Sequence, residues 1–142
     1  MSALYEKDFY AWCLEQADFI KQGSFNLIDK EKIEQELINM GESEKRELKN
    51  RLVLLIFHLL KWKYQEAMRC NSWLRTIKIQ RSEVKEHIKS NPSLKPYLKE
   101  IVERVYEKSV DKACNESGLA FEAFPTSMPF TIEQALQEEW LP

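Results

Sequence analysis

The chain has few of the residues that punctuate a fold. Three glycines and five prolines in 142 residues leave little material for the tight turns of a many-stranded sheet, so long helices are expected. The three cysteines, Cys13, Cys70 and Cys114, are odd in number and widely separated. None forms a C-x-x-C or stands at ligand spacing from a histidine, so neither a disulfide framework nor a zinc site is suggested. All three are expected to be small, soft, buried residues. Long apolar runs are also missing. The richest stretch, Leu52–Leu60, holds eight apolar residues and His58, far short of the roughly 20 residues of a membrane span. The opening MSALYEKDFYAW has no basic segment leading into an apolar run, so no signal peptide is expected, and the protein reads as soluble and cytoplasmic. A Gly-rich phosphate loop, G-x-S-x-G and H-E-x-x-H are all absent. The sequence therefore leans away from an enzyme and implies no cofactor.

What is present is helical periodicity. Asp8 is a good N-cap and Gly23 a good stop. Between them Phe9, Trp12, Cys13, Gln16 and Ile20 recur at helical spacing, an aromatic-rich face that needs a partner surface. Asp29 can cap a second helix, in which Ile33, Leu37, Met40, Glu44, Leu48, Leu52, Leu55, Leu59 and Trp62 keep one face in register across Gly41. One helix of about 40 residues, roughly 60 Å long, is the expectation. The alternative is a break at Gly41, which costs about 1 kcal/mol relative to Ala, with Ser43 capping a new helix. Within Leu52–Leu60 apolar side chains point in almost every direction, so other elements or a second subunit must surround the helix. Further helices are expected from a cap at Ser72 to just before Pro92, and from Ser93 to Gly118. An irregular apolar segment through Phe121, Phe124 and Met128 follows. A last short helix is expected after Thr131, which forms a capping box with Gln134.

Charge is segregated along the chain. Residues 1–60 carry 8 basic and 11 acidic groups, residues 61–85 carry 7 and 2, and residues 86–142 carry 6 and 10. Either the acidic flanks fold back on the basic middle, or Lys61, Lys63, Arg75, Lys78, Arg81 and Lys85 form an exposed strip for an anionic partner. Interleaved Trp62, Tyr64 and Trp73 resemble the mixture used by nucleic-acid binders, although both tryptophans fall on the apolar faces. On a helical wheel Glu44, Glu47, Arg51, His58, Gln65 and Arg69 share one stripe beside the apolar one. That stripe is either a ligand site or a structural polar seam paired with neighbouring helices. His58 in an apolar setting can be a base or metal ligand, but Leu55 stands where a di-iron bundle needs glutamate. Glu83 and His87 are spaced to share a metal, and a solvated pair is the commoner outcome of such spacing.

Several words in the chain carry a family resemblance. YEKDFYAW (5–12), MGESEKREL (40–48), HLLKWKYQ (58–65), SWLRTIKIQR (72–81), NPSLKPYL (91–98) and the closing FP…P…EQAL…LP resemble Domain of Unknown Function family twenty-nine. That family comprises small helical proteins abundant in cyanobacteria. The resemblance implies an all-helical single domain and supplies no catalytic roles. The family pattern holds Glu36, Glu44, Glu47, Lys61, Arg69 and Arg81. It departs at Glu66, where a proline is common, and at Met128-Pro129-Phe130, where a cysteine-proline-tryptophan word is usual. The reading as a whole is an all-α helical bundle of one domain, residues 1–142, around one long central helix with an irregular C-terminal segment. Its expected function is a protein–protein interaction module that forms homo-oligomers. The alternatives are a nucleic-acid-associated regulator using the basic strip, and an enzyme or ligand site at the His58 seam.

Overall fold

The computed structural model describes residues 3–142. Those residues form six α-helices joined by four short 3-10 turns, with no strand among them. The chain divides into two compact units, the first ending at Glu44 and the second running from Lys45 to Pro142.

The first unit contains α1 (Ala3–Lys7), α2 (Phe9–Gln22), a 3-10 turn at Phe25–Leu27 and the opening of α3 (Lys30–Tyr64). Asp8 caps α2 as expected, its Oδ1 accepting the Ala11 N–H at 3.0 Å. Gly23 ends α2 in the left-handed conformation (φ 77°) that a side chain disfavours. The N–H of Ser24 then donates to the Phe19 carbonyl at 2.8 Å, which satisfies a helix-end acceptor and turns the chain back. Asp29 starts α3, accepting from the Lys32 N–H at 3.3 Å, while its own N–H donates to the buried Gln16 Oε1 at 2.7 Å. The side of the unit is an aromatic cluster: Tyr5 meets Phe9 and Trp12 edge-on at 5.4 and 4.9 Å between centroids. The Tyr5 hydroxyl donates to Glu36, and Lys32 sits 4.7 Å over the Tyr5 ring. The bond to the Glu36 carboxylate, with burial and nearby acidic charge adding, pushes the Tyr5 hydroxyl up to about 12. Helix α1 was not expected from the sequence, because five residues are too few to show a periodic pattern.

Helix α3 runs unbroken through Gly41 for 35 residues, about 52 Å at 1.5 Å per residue. The register of its apolar positions is therefore continuous, and Ser43 lies mid-helix. In the second unit α3 is joined by α4 (Asn71–Ser90), α5 (Tyr97–Ser117) and α6 (Ile132–Leu136). Leu48, Leu52, Leu55, Ile56, Leu59 and Leu60 of α3 are fully buried against Ile77 and Val84 of α4 and Ile101, Val105, Val110 and Ala113 of α5. The apolar jacket of Leu52–Leu60 thus finds its cover within one chain. Ser109 lies where α5 approaches α3, its hydroxyl 2.7 Å from the Val105 carbonyl and 3.2 Å from the Val53 carbonyl. A small hydroxyl side chain there satisfies itself without holding the helices apart.

Helix starts in the second unit differ from the sequence expectation. Helix α4 begins at Asn71 with Cys70 at the cap position, two residues before Ser72 would place it, and no side chain caps it. Ser93 lies in a 3-10 turn (Pro92–Leu94), and α5 begins after Pro96, whose φ of −61° is already helical. Helix α5 stops at Gly118, φ 75°, as expected. The cysteines depart from expectation: Cys70 is exposed, and Cys13 and Cys114 are only half-buried. Cys70 is drawn outward because it sits in the bend between α3 and α4, where no neighbouring helix covers it. The tail is irregular around Phe124 and is held by the Tyr106 hydroxyl, which donates to the Pro125 carbonyl at 2.6 Å. Thr131 and Gln134 then form the expected capping box at α6.

Candidate functional site

The stripe predicted on α3 is resolved by the structure into three separate settings. The first is a charged cluster between α3 and α4. Arg51 donates to Glu47 Oε1 through Nε and a terminal nitrogen at 3.2 and 3.0 Å, and lies 3.7 Å from Glu83. His87 Nδ1 lies 3.7 Å from the second Glu47 oxygen. Glu44 is one turn earlier on the same helix, half-buried at the end of the first unit. Glu83 and His87, spaced i, i+4, thus answer Arg51 and Glu47 across the helix pair. The arrangement alternates charge across the two helices, which favours one registry between them.

The second setting is His58. Its Nδ1 lies 2.9 Å from the Leu54 carbonyl, an acceptor only, so Nδ1 carries the proton and donates. Burial pushes the imidazole below its usual range; the Leu54 bond opposes this and the nearby Lys61 charge reinforces it. His58 is consequently neutral near pH 7, with Nε2 as its acceptor. No hydrogen bond or ion pair among the described residues joins it to Glu47, Arg51, Gln65 or Arg69.

The third setting is the bend after α3. Arg69 donates from Nε to the Trp62 carbonyl at 2.6 Å, stacks 4.8 Å over the Trp62 ring and lies 3.8 Å from Glu66. Gln65 buries its Nε2 without a partner. Arg69 therefore acts locally, capping carbonyls at the C-terminal end of α3.

The basic strip is also divided. Lys61 is only 4% exposed. Its ammonium bonds to both Glu116 oxygens at 3.2 and 3.0 Å and lies 4.4 and 4.7 Å from the Trp73 and Phe57 ring centres. Arg81 is equally buried. Its Nε donates to the Ala135 carbonyl at 2.7 Å and a terminal nitrogen to the Trp140 carbonyl at 2.5 Å, clasping the tail onto α4. Lys63, Arg75, Lys78 and Lys85 remain exposed. Lys78 and Lys85 flank a groove floored by Leu74, Ile77 and Leu141, with Glu138 and Glu139 on its far rim. Sequence spacing could not separate the two buried cations from the four exposed ones, because burial of Lys61 and Arg81 depends on residues more than 50 positions away.

A further set was missed in the sequence. The first unit exposes Phe9, Tyr10, Leu14, Ile20, Phe25, Leu27, Leu37, Ile38 and Met40, while Trp12 is its one buried large apolar residue among those described. Phe9 and Ile20 were read as part of a face that needs a partner surface, and Leu37 and Met40 as part of the apolar register of the long helix; it is their exposure that the structure adds. The indole N–H of Trp12 is buried without an acceptor.

These features define an all-α protein whose polar residues knit helices together. The chain belongs to the family described as Domain of unknown function DUF29, which matches residues 4–141. No curated protein and no solved structure matches the chain. No helix of the described residues is long and apolar enough to cross a membrane.

Proposed function

We propose that the protein is an interaction module that self-associates through its first unit. The observation that carries this reading is the exposure of nine large apolar side chains on that unit. At roughly 100 Å² each they offer on the order of 900 Å², close to the roughly 800 Å² per partner of a standard interface. Charge supports a second copy as the occupant. The first unit carries 4 basic and 10 acidic groups and the second 17 and 13, so the first unit of one copy is complementary to the second unit of another.

Sedimentation equilibrium tests the reading. The wild-type chain is expected to associate at about 100 µM protein, and a Leu14→Glu/Leu37→Glu variant to be monomeric with unchanged far-ultraviolet dichroism. Association that weakens with added salt fits pairing of unlike units, since salt screens opposite charges. A wild-type chain that stays strictly monomeric at that concentration refutes the proposal.

A further inference from the structure

One face of α4 carries Leu74, Ile77, Lys78, Arg81, Ser82 and Lys85 at helical spacing. The tail lies along this face, and the groove of about 470 Å³ between them belongs wholly to the second unit. That volume falls within the roughly 300–1,000 Å³ of small-molecule sites. Leu74 and Ile77 of α4 and Leu141 of the tail give the groove an apolar floor. The clasp of Arg81 on the Ala135 and Trp140 carbonyls holds the tail on both sides of Glu138 and Glu139, so the wall they contribute is fixed before any ligand arrives.

Arg81 is the unusual member of this lining. It is only 5% exposed, yet no carboxylate pairs with it among the described residues. Its two acceptors are uncharged carbonyls, which take Nε and one N–H of Nη2. The N–H groups of Nη1 and the second of Nη2 have no acceptor among the described residues, and Nη1 is not sealed from solvent. Because Arg81 lines the groove, the open end of its fork is offered there. A buried charge is ordinarily paired, since an uncompensated ion in a poorly solvated place is costly. An anion in the groove supplies the missing partner.

The rest of the lining selects which anion. Lys78 and Lys85 stand one turn before and one turn after Arg81, exposed and without an ion pair among the described residues. Glu138 and Glu139 come from the tail and are likewise exposed and in no ion pair with these cations. Three cations against two acids leave the lining one positive charge in excess. A monoanion neutralises that excess, whereas a dianion reverses it and is repelled by the acids. A carboxylate is the monoanion whose two oxygens match two parallel N–H groups of a guanidinium, and Ser82 adds a hydroxyl donor. A bare carboxylate would leave Leu74, Ile77 and Leu141 wet, so the matching ligand carries an apolar body.

We propose that the groove between α4 and the tail binds a small apolar monocarboxylate, its carboxylate on the open end of the Arg81 guanidinium and its body on Leu74, Ile77 and Leu141. The site is distinct from the exposed apolar face of the first unit and does not depend on self-association.

An NMR titration of the isotope-labelled full chain tests the assignment, followed at the Arg81 side-chain N–H and at the amides of α4 and the tail. The probes are phenylacetate, acetate, 2-phenylethanol and phenyl phosphate, at about pH 7 where a phosphate monoester is largely dianionic. Phenylacetate is expected to saturate and to bind at least about tenfold more tightly than acetate, which lacks the body, and than 2-phenylethanol, which lacks the charge. Phenyl phosphate should bind about threefold or more weakly than phenylacetate, and a Glu138→Gln/Glu139→Gln variant should erase that preference. Arg81→Lys should weaken phenylacetate about tenfold or more, but it also loosens the tail. A Lys78→Gln/Lys85→Gln variant keeps the clasp and should weaken phenylacetate about fivefold, whereas Lys63→Gln/Arg75→Gln carries the same charge change outside the groove and should stay within about twofold of wild type. The proposal is overturned by an absence of saturable shifts with phenylacetate, by acetate or 2-phenylethanol binding as tightly, or by phenyl phosphate binding more tightly. Equal weakening by the two double cation variants would also overturn it, because that means diffuse attraction to net charge rather than a site.

Discussion

Lys61 offers a sharp test of how this core tolerates charge. Its ammonium is buried, but its partner Glu116 is about half exposed, with side-chain accessibilities of 5% and 53%. The two halves of the pair are therefore unequal. Changing Glu116 to Gln leaves a desolvated cation with a weaker neutral acceptor and the faces of Trp73 and Phe57. Removing one partner of a fully buried pair costs about 3–5 kcal/mol. Exposure of Glu116 and the surviving ring contacts, worth about 0.5–2 kcal/mol each, reduce the expected loss to about 2 kcal/mol. Changing Lys61 to Met keeps the aliphatic stem between the rings and leaves Glu116 solvated, so the expected loss is under about 1 kcal/mol. Urea unfolding followed by tryptophan fluorescence and far-ultraviolet dichroism measures both. The Glu116→Gln midpoint should fall clearly and the Lys61→Met midpoint little. The opposite order, with Lys61→Met the costlier change, would refute the argument that the buried cation is the liability.

Four other outcomes follow from the geometry. Arg81→Met should free the Ala135 and Trp140 carbonyls and cost about 3 kcal/mol, as for a charge-assisted pair of buried bonds; faster amide exchange confined to residues after 130 would mark the released tail, and unchanged exchange there would contradict the clasp. Gly41→Ala should stabilise by about 1 kcal/mol because a mid-helix methyl there meets nothing within 4 Å. Gly118→Ala should destabilise by about 1 kcal/mol because φ is +75°; equal effects of the two changes on the thermal midpoint would be inconsistent with both assignments. His58 sets a pH dependence: its folded-state value lies below the ordinary 6.5, so between those values the unfolded chain binds more protons. The stability it contributes is full above about pH 6.5 and declines as pH falls through that value toward the folded one. A His58→Gln variant should flatten that part of a stability profile, and an unaltered slope would count against a buried neutral imidazole.

The helical layout was legible because its signals are local. Asp8, Gly23, Asp29, Gly118 and the Thr131–Gln134 box act on backbone groups within four residues, and the apolar register of α3 is a property of one helix. The seam was legible only as a stripe. A wheel extended over one continuous helix places Glu47, Arg51, His58 and Arg69 on one side, but α3 ends at Tyr64, and their partners come from α4, from α3's own carbonyls and from the bend that follows. Arg51 turns to Glu83 while His58 turns to Leu54, a divergence that the wheel cannot show. Burial of Lys61 was illegible because lysine is ordinarily a surface residue and Glu116 lies 55 positions away.

The clasp formed by Arg81 bears on how this chain can vary. A guanidinium held by two peptide carbonyls reads the path of the tail and is indifferent to the side chains along it. Gln137 and Glu138, which lie exposed between the two carbonyls, can therefore be exchanged with little effect on the clasp, whereas Glu139, at φ 64°, favours glycine or asparagine as a replacement. The number of residues cannot change. Adding or deleting one residue between Ala135 and Trp140 would move one carbonyl out of reach of a fork whose nitrogens are fixed in a plane. Relatives that keep the arginine should accordingly keep the spacing of this segment more faithfully than its letters.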